Sequence, residues 1–297
     1  MGFSFEKLFL EKRKNFNQFS AERDQKIGKP EGIREYDDVL YAEDGNSMHR
    51  MDIFQPLECA EQKLPVLIDI HGGGMIMGHK EFNRHFCADI CKRGYLVFSI
   101  EYSYVPEVQV YDQFQDIFLA MDHIAELIPQ YGGDIERVYM AGDSSGAYHA
   151  MYVTAMQNCP EIAKAANVTP STLKVRALGL ISGMFYTTKL DEIGLFMPKF
   201  LYGKHYKKSA FAPYVNPTHE RIVTSLPPSF LVTGNNDHLK HYTLNFEKAL
   251  TKHGMEHELL FFEQDNKELA HAFCVFKPYI EESQELVEKM LNFFQKC

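Results

Sequence analysis

Strand-like and helix-like patterns alternate along this chain of 297 residues, and that alternation constrains the fold more than any other feature. Runs rich in β-branched and aromatic residues predict eight strands, at about 37–43, 49–55, 65–70, 95–101, 137–141, 175–182, 229–233 and 257–263. Amphipathic patterns between them predict helices at about 81–93, 112–130, 145–158, 239–253 and 280–295. Only residues 43–47 join the first two runs, which predicts an antiparallel hairpin. From the third strand onward the order predicts a parallel sheet with helices on both faces, in one α/β domain spanning 1–297.

Two segments lie outside this alternation. Residues 3–24 are charged, with aromatic residues at near-helical spacing, and predict an N-terminal helix or two. Between the sixth and seventh strands about forty residues, rich in Phe, Tyr, Leu and Met, exceed an ordinary connection of a few residues. We expect both, at about 1–30 and 185–225, to form a helical cap over the carboxyl edge of the sheet. The alternative is a segment that merely packs on the core.

Composition and charge exclude several classes of function. The formal net charge is −9, whereas a nucleic-acid-binding surface needs clustered Lys and Arg. No stretch approaches the roughly 18 apolar residues that a membrane span requires. The first residues are charged and lack the apolar core of a signal peptide, so we expect a cytoplasmic protein. The six cysteines are scattered without paired metal spacing and are expected to be reduced.

Two short motifs follow predicted strands directly. H-G-G-G occupies residues 71–74 and G-D-S-S-G occupies residues 142–146, each immediately after an apolar run. In α/β folds the carboxyl ends of the strands carry the active site. The glycines of a G-x-S-x-G turn let the chain pass sharply from strand to helix, so that the middle residue projects above the sheet. We therefore predict Ser144 as a nucleophile, with its neighbour Ser145 as the less favoured candidate.

A serine nucleophile needs a base and an acid that orients the base. His271 is the only histidine after the last predicted strand, and Asp237 is the first acidic residue after the preceding one. The order Ser144, Asp237, His271 is the nucleophile, acid and base order of a serine hydrolase on a doubly covered sheet. A solvated surface role remains the alternative for each of these two residues.

The glycine-rich motif supplies donors for a developing oxyanion. We expect the backbone N–H groups of Gly73, Gly74 and Ser145 to line an oxyanion hole, with Gly72 allowing the loop its turn. His71 is expected to brace this loop by hydrogen bonding. Apolar residues beside the loop and in the insertion predict a substrate pocket, lined by Met75, Ile76, Phe196 and Phe200. No second His or Cys stands at ligand spacing in the sequence, so we expect no metal and no cofactor.

With these motifs the chain resembles the hormone-sensitive-lipase-like carboxylesterases, from about residue 64 to 273. Residues 101–107 with Asp116 resemble the D-Y-R-L-A-P-E stretch of that family and its downstream acid. Residues 214–217 and 226–228 resemble the run that leads into the strand before the acid. Residues 234–239 resemble G-x-x-D-P-L, and residues 270–273 contain H-x-F.

The chain departs from that family pattern at three positions. Glu101 stands where the family usually has Asp, Ser103 where it has Arg, and His238 where it has Pro. The resemblance implies an α/β-hydrolase fold and a lipase-like carboxylesterase that works through an acyl-enzyme. The apolar pocket predicted beside the glycine-rich loop suits small esters of short to medium acyl chains. The alternatives are an amide-cleaving hydrolase of arylformamidase or peptidase type and a non-catalytic ligand-binding protein. The family also implies a possible homodimer through residues 258–262, although a final helix covering that edge is equally compatible.

Overall fold

The computed structural model describes residues 5–57 and 62–297, and its centre is one eight-stranded sheet. The strands are β1 (Ile33–Leu40), β2 (Arg50–Pro56), β3 (Leu64–Ile70), β4 (Leu96–Ile100), β5 (Gly133–Asp143), β6 (Leu178–Ile181), β7 (Ser229–Gly234) and β8 (His257–Phe262). Their order across the sheet is β1-β2-β4-β3-β5-β6-β7-β8. Strand β2 pairs antiparallel with β1 and β4, and all other pairs are parallel. The predicted hairpin and the mostly parallel sheet are confirmed.

Eleven α-helices are found in the described residues. They are α1 (Phe5–Ile27), α2 (Arg84–Lys92), α3 (Val110–Leu127), α4 (Ser145–Asn158), α5 (Pro160–Ala166), α6 (Glu192–Phe196), α7 (Pro198–Leu201), α8 (Glu220–Val223), α9 (Lys240–Lys252), α10 (Phe273–Phe276) and α11 (Glu281–Phe294). Short 3-10 turns occupy Lys80–Asn83, Tyr206–Lys208, Ala212–Val215 and Lys267–Leu269. The five helices predicted within the alternation therefore form, and the N-terminal pattern forms one helix rather than two.

Helices cover both faces of the sheet because strand side chains alternate between the faces. In β3, Val66 and Ile68 join the apolar core under α3, α4 and α9, while Leu67 joins a second core under α2 and α11. All three side chains are completely buried. A parallel strand covered on both faces reads as a continuous apolar run, which is why the sequence identified β3 so clearly.

The first strand was placed wrongly by the sequence pattern. It runs from Ile33 to Leu40 rather than over 37–43, and only three of its eight residues, Ile33, Glu35 and Val39, are half-buried, while the other five are exposed. Strand β1 is an edge strand in which four of the eight residues are charged, so its apolar pattern is weak although it pairs with β2. A bulge between Tyr36 and Val39, with Asp38 at φ 56°, further disrupts the pattern.

The insertion between β6 and β7 contains α6, α7 and α8 with two of the 3-10 turns. Residues 1–4 of the predicted first cap segment, and Cys59, lie outside the described residues. The five cysteines that the structure describes form no disulfide, and Cys87 and Cys91 pack side by side in the second core. Among the described helices, none is both long enough and apolar enough to cross a bilayer.

Candidate active site

Ser144 stands on the sharp turn between β5 and α4, at the carboxyl edge of the sheet. Its backbone has φ 53° and ψ −113°, an uncommon conformation for a residue with a side chain. The turn brings Gly146 against the end of β3, where an added Cβ would lie 1.8 Å from the carbonyl oxygen of Ile70. Only glycine fits at that distance, so the motif is required by close packing of the helix start on the sheet.

The structure brings Ser144, His271 and Asp237 together from three different strand ends. Oγ of Ser144 lies 2.9 Å from Nε2 of His271, and Nδ1 of the same ring lies 2.7 Å from Oδ1 of Asp237. These are hydrogen-bond distances in the geometry of a nucleophile, a base and an orienting acid. Ser145 is completely buried, and its side chain is not part of this chain of hydrogen bonds.

Asp237 is held as a carboxylate although it is buried. Burial alone would raise its pKa, but hydrogen bonds and the charge of His271 lower that pKa to about 2, with further donors in the backbone N–H of Leu239 and the hydroxyl of Thr233. An ionised Asp237 fixes Nδ1 as the protonated nitrogen of His271. Nε2 is then free to accept the proton of Ser144.

The glycine-rich loop faces this group with unused donors. In the described residues the backbone N–H groups of Gly73, Gly74 and Ser145 donate to no protein acceptor. By contrast, the N–H of Gly72 donates to Oδ1 of Asp143 at 2.9 Å. Of the four residues predicted for the oxyanion hole, three therefore offer a free donor, and Gly72 anchors the loop.

His71 braces the loop from below, as expected. Its Nδ1 lies 2.7 Å from the carbonyl oxygen of Gly72, its Nε2 lies 2.7 Å from Glu101, and its ring stacks on Tyr102. Burial opposes protonation, but the charge and the hydrogen bond of Glu101 outweigh it, so that the pKa of His71 is raised. A protonated ring donates on both sides. Glu101, noted in the sequence only as a departure from the family pattern, is thus a supporting residue that sequence reasoning missed.

A second buried network lies beneath the loop and was also missed. The side-chain amide of Asn83 donates to Asp69 at 3.1 Å and to Asp143 at 3.1 Å, and Ser99 donates to Asp69 at 2.9 Å. Burial and the charge of Asp143 raise the pKa of Asp69 to about 7. Asp143 accepts hydrogen bonds from the side-chain amide of Asn83 and from the backbone N–H of Gly72, so this network connects the ends of β3 and β5 to the loop.

A cavity of about 780 Å³ opens above Ser144. Its walls come from the loop, from α1, from the insertion and from α10; the apolar residues are Leu8, Phe9, Phe16, Ile76, Met77, Phe82, Met184, Ile193, Phe196, Met197, Leu239, Ala272 and Phe276. The volume is in the usual range for small-molecule sites. Of the predicted pocket residues, Ile76 and Phe196 line it.

The other two predicted pocket residues do not line the cavity. Met75 has φ 68° and is completely buried in the core, where its carbonyl oxygen accepts from Val105 and Gln113. Phe200 packs its ring edge against Phe9 at 5.3 Å instead. Met75 was predicted from its place beside the glycine-rich motif and Phe200 from the aromatic composition of the insertion, and neither pattern gives the direction of a side chain.

His238 lies beside His271, with ring centroids 4.4 Å apart. Asp237, His238 and His271 each offer a ligand atom, and these atoms lie within 4.8 Å of one another. The two histidines are 33 positions apart, so they show no ligand spacing in the sequence, whereas the fold brings their rings into contact.

Known proteins are similar to this chain in sequence and in fold. A family model described as an alpha/beta hydrolase fold matches residues 67–274. A probable isoprenylcysteine alpha-carbonyl methylesterase of Arabidopsis thaliana is 26% identical over 226 residues, which cover 72% of this chain and 47% of the relative. The esterase LipI of Mycobacterium tuberculosis is 24% identical over 231 residues, which cover 70% of this chain and 66% of LipI. The chain spans about half the length of the plant methylesterases that it matches.

Solved structures show the same fold. Esterase B from Lactobacillus Rhamnosis (HN001) superposes with a TM-score of 0.89 at 24% identity, covering 99% of this chain and 96% of that one. A bacterial heroin esterase superposes with a TM-score of 0.73 at 20% identity, covering 97% of this chain and 92% of that one. The chain belongs to the hormone-sensitive-lipase-like family of the α/β-hydrolase fold.

Proposed function

We propose that this protein is a serine carboxylic ester hydrolase that cleaves small esters of short to medium acyl chains through an acyl-enzyme. The observation that carries the proposal is the hydrogen-bonded series from Ser144 through His271 to Asp237, placed opposite three free backbone N–H groups. A nucleophile, a base and donors for an oxyanion are the parts that acyl transfer needs.

In this mechanism Nε2 of His271 takes the proton of Ser144 as Oγ attacks the ester carbonyl carbon. The N–H groups of Gly73, Gly74 and Ser145 stabilise the negative oxygen of the tetrahedral intermediate. His271 then gives its proton to the leaving alcohol, and the acyl group remains on Ser144. Water, deprotonated by the same ring, attacks the acyl-enzyme and releases the acid.

The cavity supports the choice of substrate. Its apolar walls exclude water from an acyl chain, and its volume of about 780 Å³ accommodates a small ester rather than a long triglyceride. Residues from α1 and from α6, among them Phe9, Phe16, Ile193 and Phe196, line the cavity. We therefore assign segments 1–30 and 185–225, within the described residues, to the cap. A cytoplasmic location and a homodimer through β8 remain predictions.

Hydrolysis of p-nitrophenyl acetate, butyrate and octanoate by the wild-type protein and by Ser144→Ala tests the proposal. Turnover lost by at least about a thousandfold in Ser144→Ala supports a serine mechanism, and Ser209→Ala, an exposed serine in the insertion, is the matched control. A p-nitroanilide of the same acyl group separates esterase from amidase activity. Folded wild-type protein that cleaves none of the esters, or a Ser144→Ala variant that keeps its turnover, contradicts the proposal.

A further inference from the structure

His238 presents an unengaged imidazole to the catalytic centre. It lines the cavity, its side chain is exposed there, and in the described part of the chain neither ring nitrogen takes part in a hydrogen bond. Its ring centroid is 4.4 Å from that of His271. A neutral imidazole with a free lone pair is a good ligand for zinc and copper.

His271 already makes the hydrogen bond to a carboxylate that a zinc-binding histidine typically makes. Nδ1 donates to Asp237 at 2.7 Å, which leaves Nε2 as the nitrogen with an available lone pair. A metal-binding histidine in proteins typically donates its other ring nitrogen to a carboxylate in this way. Asp237 itself is occupied, since it accepts from His271, Leu239 and Thr233, so it serves as the orienting carboxylate rather than as a ligand.

The distances permit coordination after a small movement. The ligand atoms of His238, His271 and Asp237 lie within 4.8 Å of one another. Two nitrogens bound to one tetrahedral zinc at 2.0–2.1 Å are about 3.3 Å apart. In the described part of the chain the exposed His238 ring makes no hydrogen bond, so its rotation toward Nε2 of His271 breaks none. Ser144 Oγ, 2.9 Å from Nε2 of His271, is close enough to serve as a third ligand, and water completes the set.

We propose that His238 and His271 form a reversible inhibitory site for zinc, completed by Ser144 and water. The inference rests on the proposed function, because the ring that holds the metal is the ring that serves as base. Zinc occupies the Nε2 lone pair that otherwise accepts the proton of Ser144, and no covalent bond of the protein is made or broken. Magnesium and calcium, which prefer oxygen ligands, do not bind at two imidazoles.

Direct binding tests the site without using turnover. Titration of the purified full chain with zinc, against a competing chromophoric chelator, is expected to give one equivalent bound in the wild type. In His238→Pro, which restores the residue of the family pattern, and in His238→Asn the affinity should fall by at least about tenfold. His205→Gln, at an exposed histidine in the insertion, is the matched control and should bind like the wild type. Circular dichroism checks that each variant is folded. If His238→Pro does not fold, the comparison of zinc affinities rests on His238→Asn.

Inhibition is then measured within each variant as the ratio of ester hydrolysis with and without zinc. Zinc should inhibit ester hydrolysis by the wild type and by His205→Gln, and a chelator should restore it, whereas magnesium should have no effect. Both His238 variants should resist inhibition by zinc. Equal zinc affinity, or equal inhibition, in wild type and His238→Asn overturns the inference. Zinc binding through His238 in a protein that cleaves no ester contradicts the proposed function alone, and ester hydrolysis without His238-dependent binding contradicts the zinc site alone.

Discussion

The ring of His71 and the carboxylate of Glu101 form a buried pair whose nearest nitrogen and oxygen are 2.7 Å apart. Their side chains are 1% and 4% exposed, so solvent does not screen the interaction. The same ring contacts the carbonyl oxygen of Gly72. The pair therefore joins the end of β4 to the glycine-rich loop that follows β3.

Glu101→Gln should impair catalysis more than substrate binding. The amide keeps the shape but removes the charge that raises the pKa of His71, so the loop loses one of its fixed contacts and the donors of Gly73 and Gly74 move away from the oxyanion. We expect kcat to fall by about ten- to hundredfold with a smaller change in KM. Steady-state kinetics on p-nitrophenyl butyrate measure this, with Glu126→Gln on the exposed face of α3 as the control. An unchanged kcat would show that the pair does not position the loop.

Two neighbouring glycines should respond differently to alanine. Gly73 has φ +128°, and a Cβ there would lie 1.9 Å from the carbonyl oxygen of Met77, so Gly73→Ala must displace the loop. Gly74 has φ +63°, with no atom within 4 Å of an added Cβ, so Gly74→Ala costs only the strain of a left-handed residue, about 1–2 kcal/mol.

For Gly73→Ala we expect a loss of at least about a hundredfold in kcat/KM, and for Gly74→Ala about tenfold or less. Parallel kinetics on the two variants, with melting temperatures to confirm folding, make the comparison. Equal losses would contradict the steric argument.

The sequence singled out the three residues that the fold brings into one series of hydrogen bonds, because the signals of Ser144, His271 and Asp237 are local. Ser144 lies in a five-residue motif after a strong apolar strand, and His271 and Asp237 follow the last two strands in a fixed order. Glu101, Asn83 and Asp69 gave no such signal. Each is a polar residue whose partner is 14 to 60 residues away, and only the pairing of β3, β4 and β5 brings them under one loop.

The pocket was harder to predict for a related reason. A side chain next to a motif points into the cavity or into the core according to one backbone angle, and the positive φ of Met75 turns its side chain into the core. The contribution of α1 was expected only as a covering segment. Its contact residues depend on how the helix is fastened to the domain, which the amphipathic pattern does not encode.

Arg13 fastens α1 beside the active site. Its guanidinium donates to both carboxylate oxygens of Glu107 at 2.7 Å, to the carbonyl oxygen of Val105 at 2.7 Å, and to that of Ile76. Arg13→Ala should loosen the helix that carries Phe9 and Phe16 over the cavity. We expect KM for the octanoate ester to rise by about three- to tenfold, with little change for the acetate ester, because only the longer chain reaches these side chains.

The chain-length series on Arg13→Ala and on Lys14→Ala, an exposed neighbour on the same helix, checks this expectation. Because Glu107 is 56% exposed, high salt should weaken the wild-type attachment in the same direction. A uniform change in KM for all chain lengths would mean that Arg13 acts on the loop through Ile76 rather than through α1.

Asp69 should make the free energy of unfolding fall with pH in the acid to neutral range. Burial and the charge of Asp143 raise its pKa from 3.8 to about 7, so the native state keeps a proton that the unfolded chain has released above pH 4. The native state then binds more protons than the unfolded state between pH 4 and 7, and the free energy of unfolding decreases as pH rises, by an amount on the order of 4 kcal/mol across that window.

Asp69→Asn removes this titration while keeping an acceptor for Asn83 and Ser99. Between pH 5 and pH 8 the free energy of unfolding of this variant should therefore fall less than that of the wild type. Urea unfolding of both proteins at pH 5, 6 and 8, with the exposed Asp122→Asn as a control, gives the slopes. Parallel pH profiles for wild type and Asp69→Asn would show that Asp69 is ionised in the native state throughout.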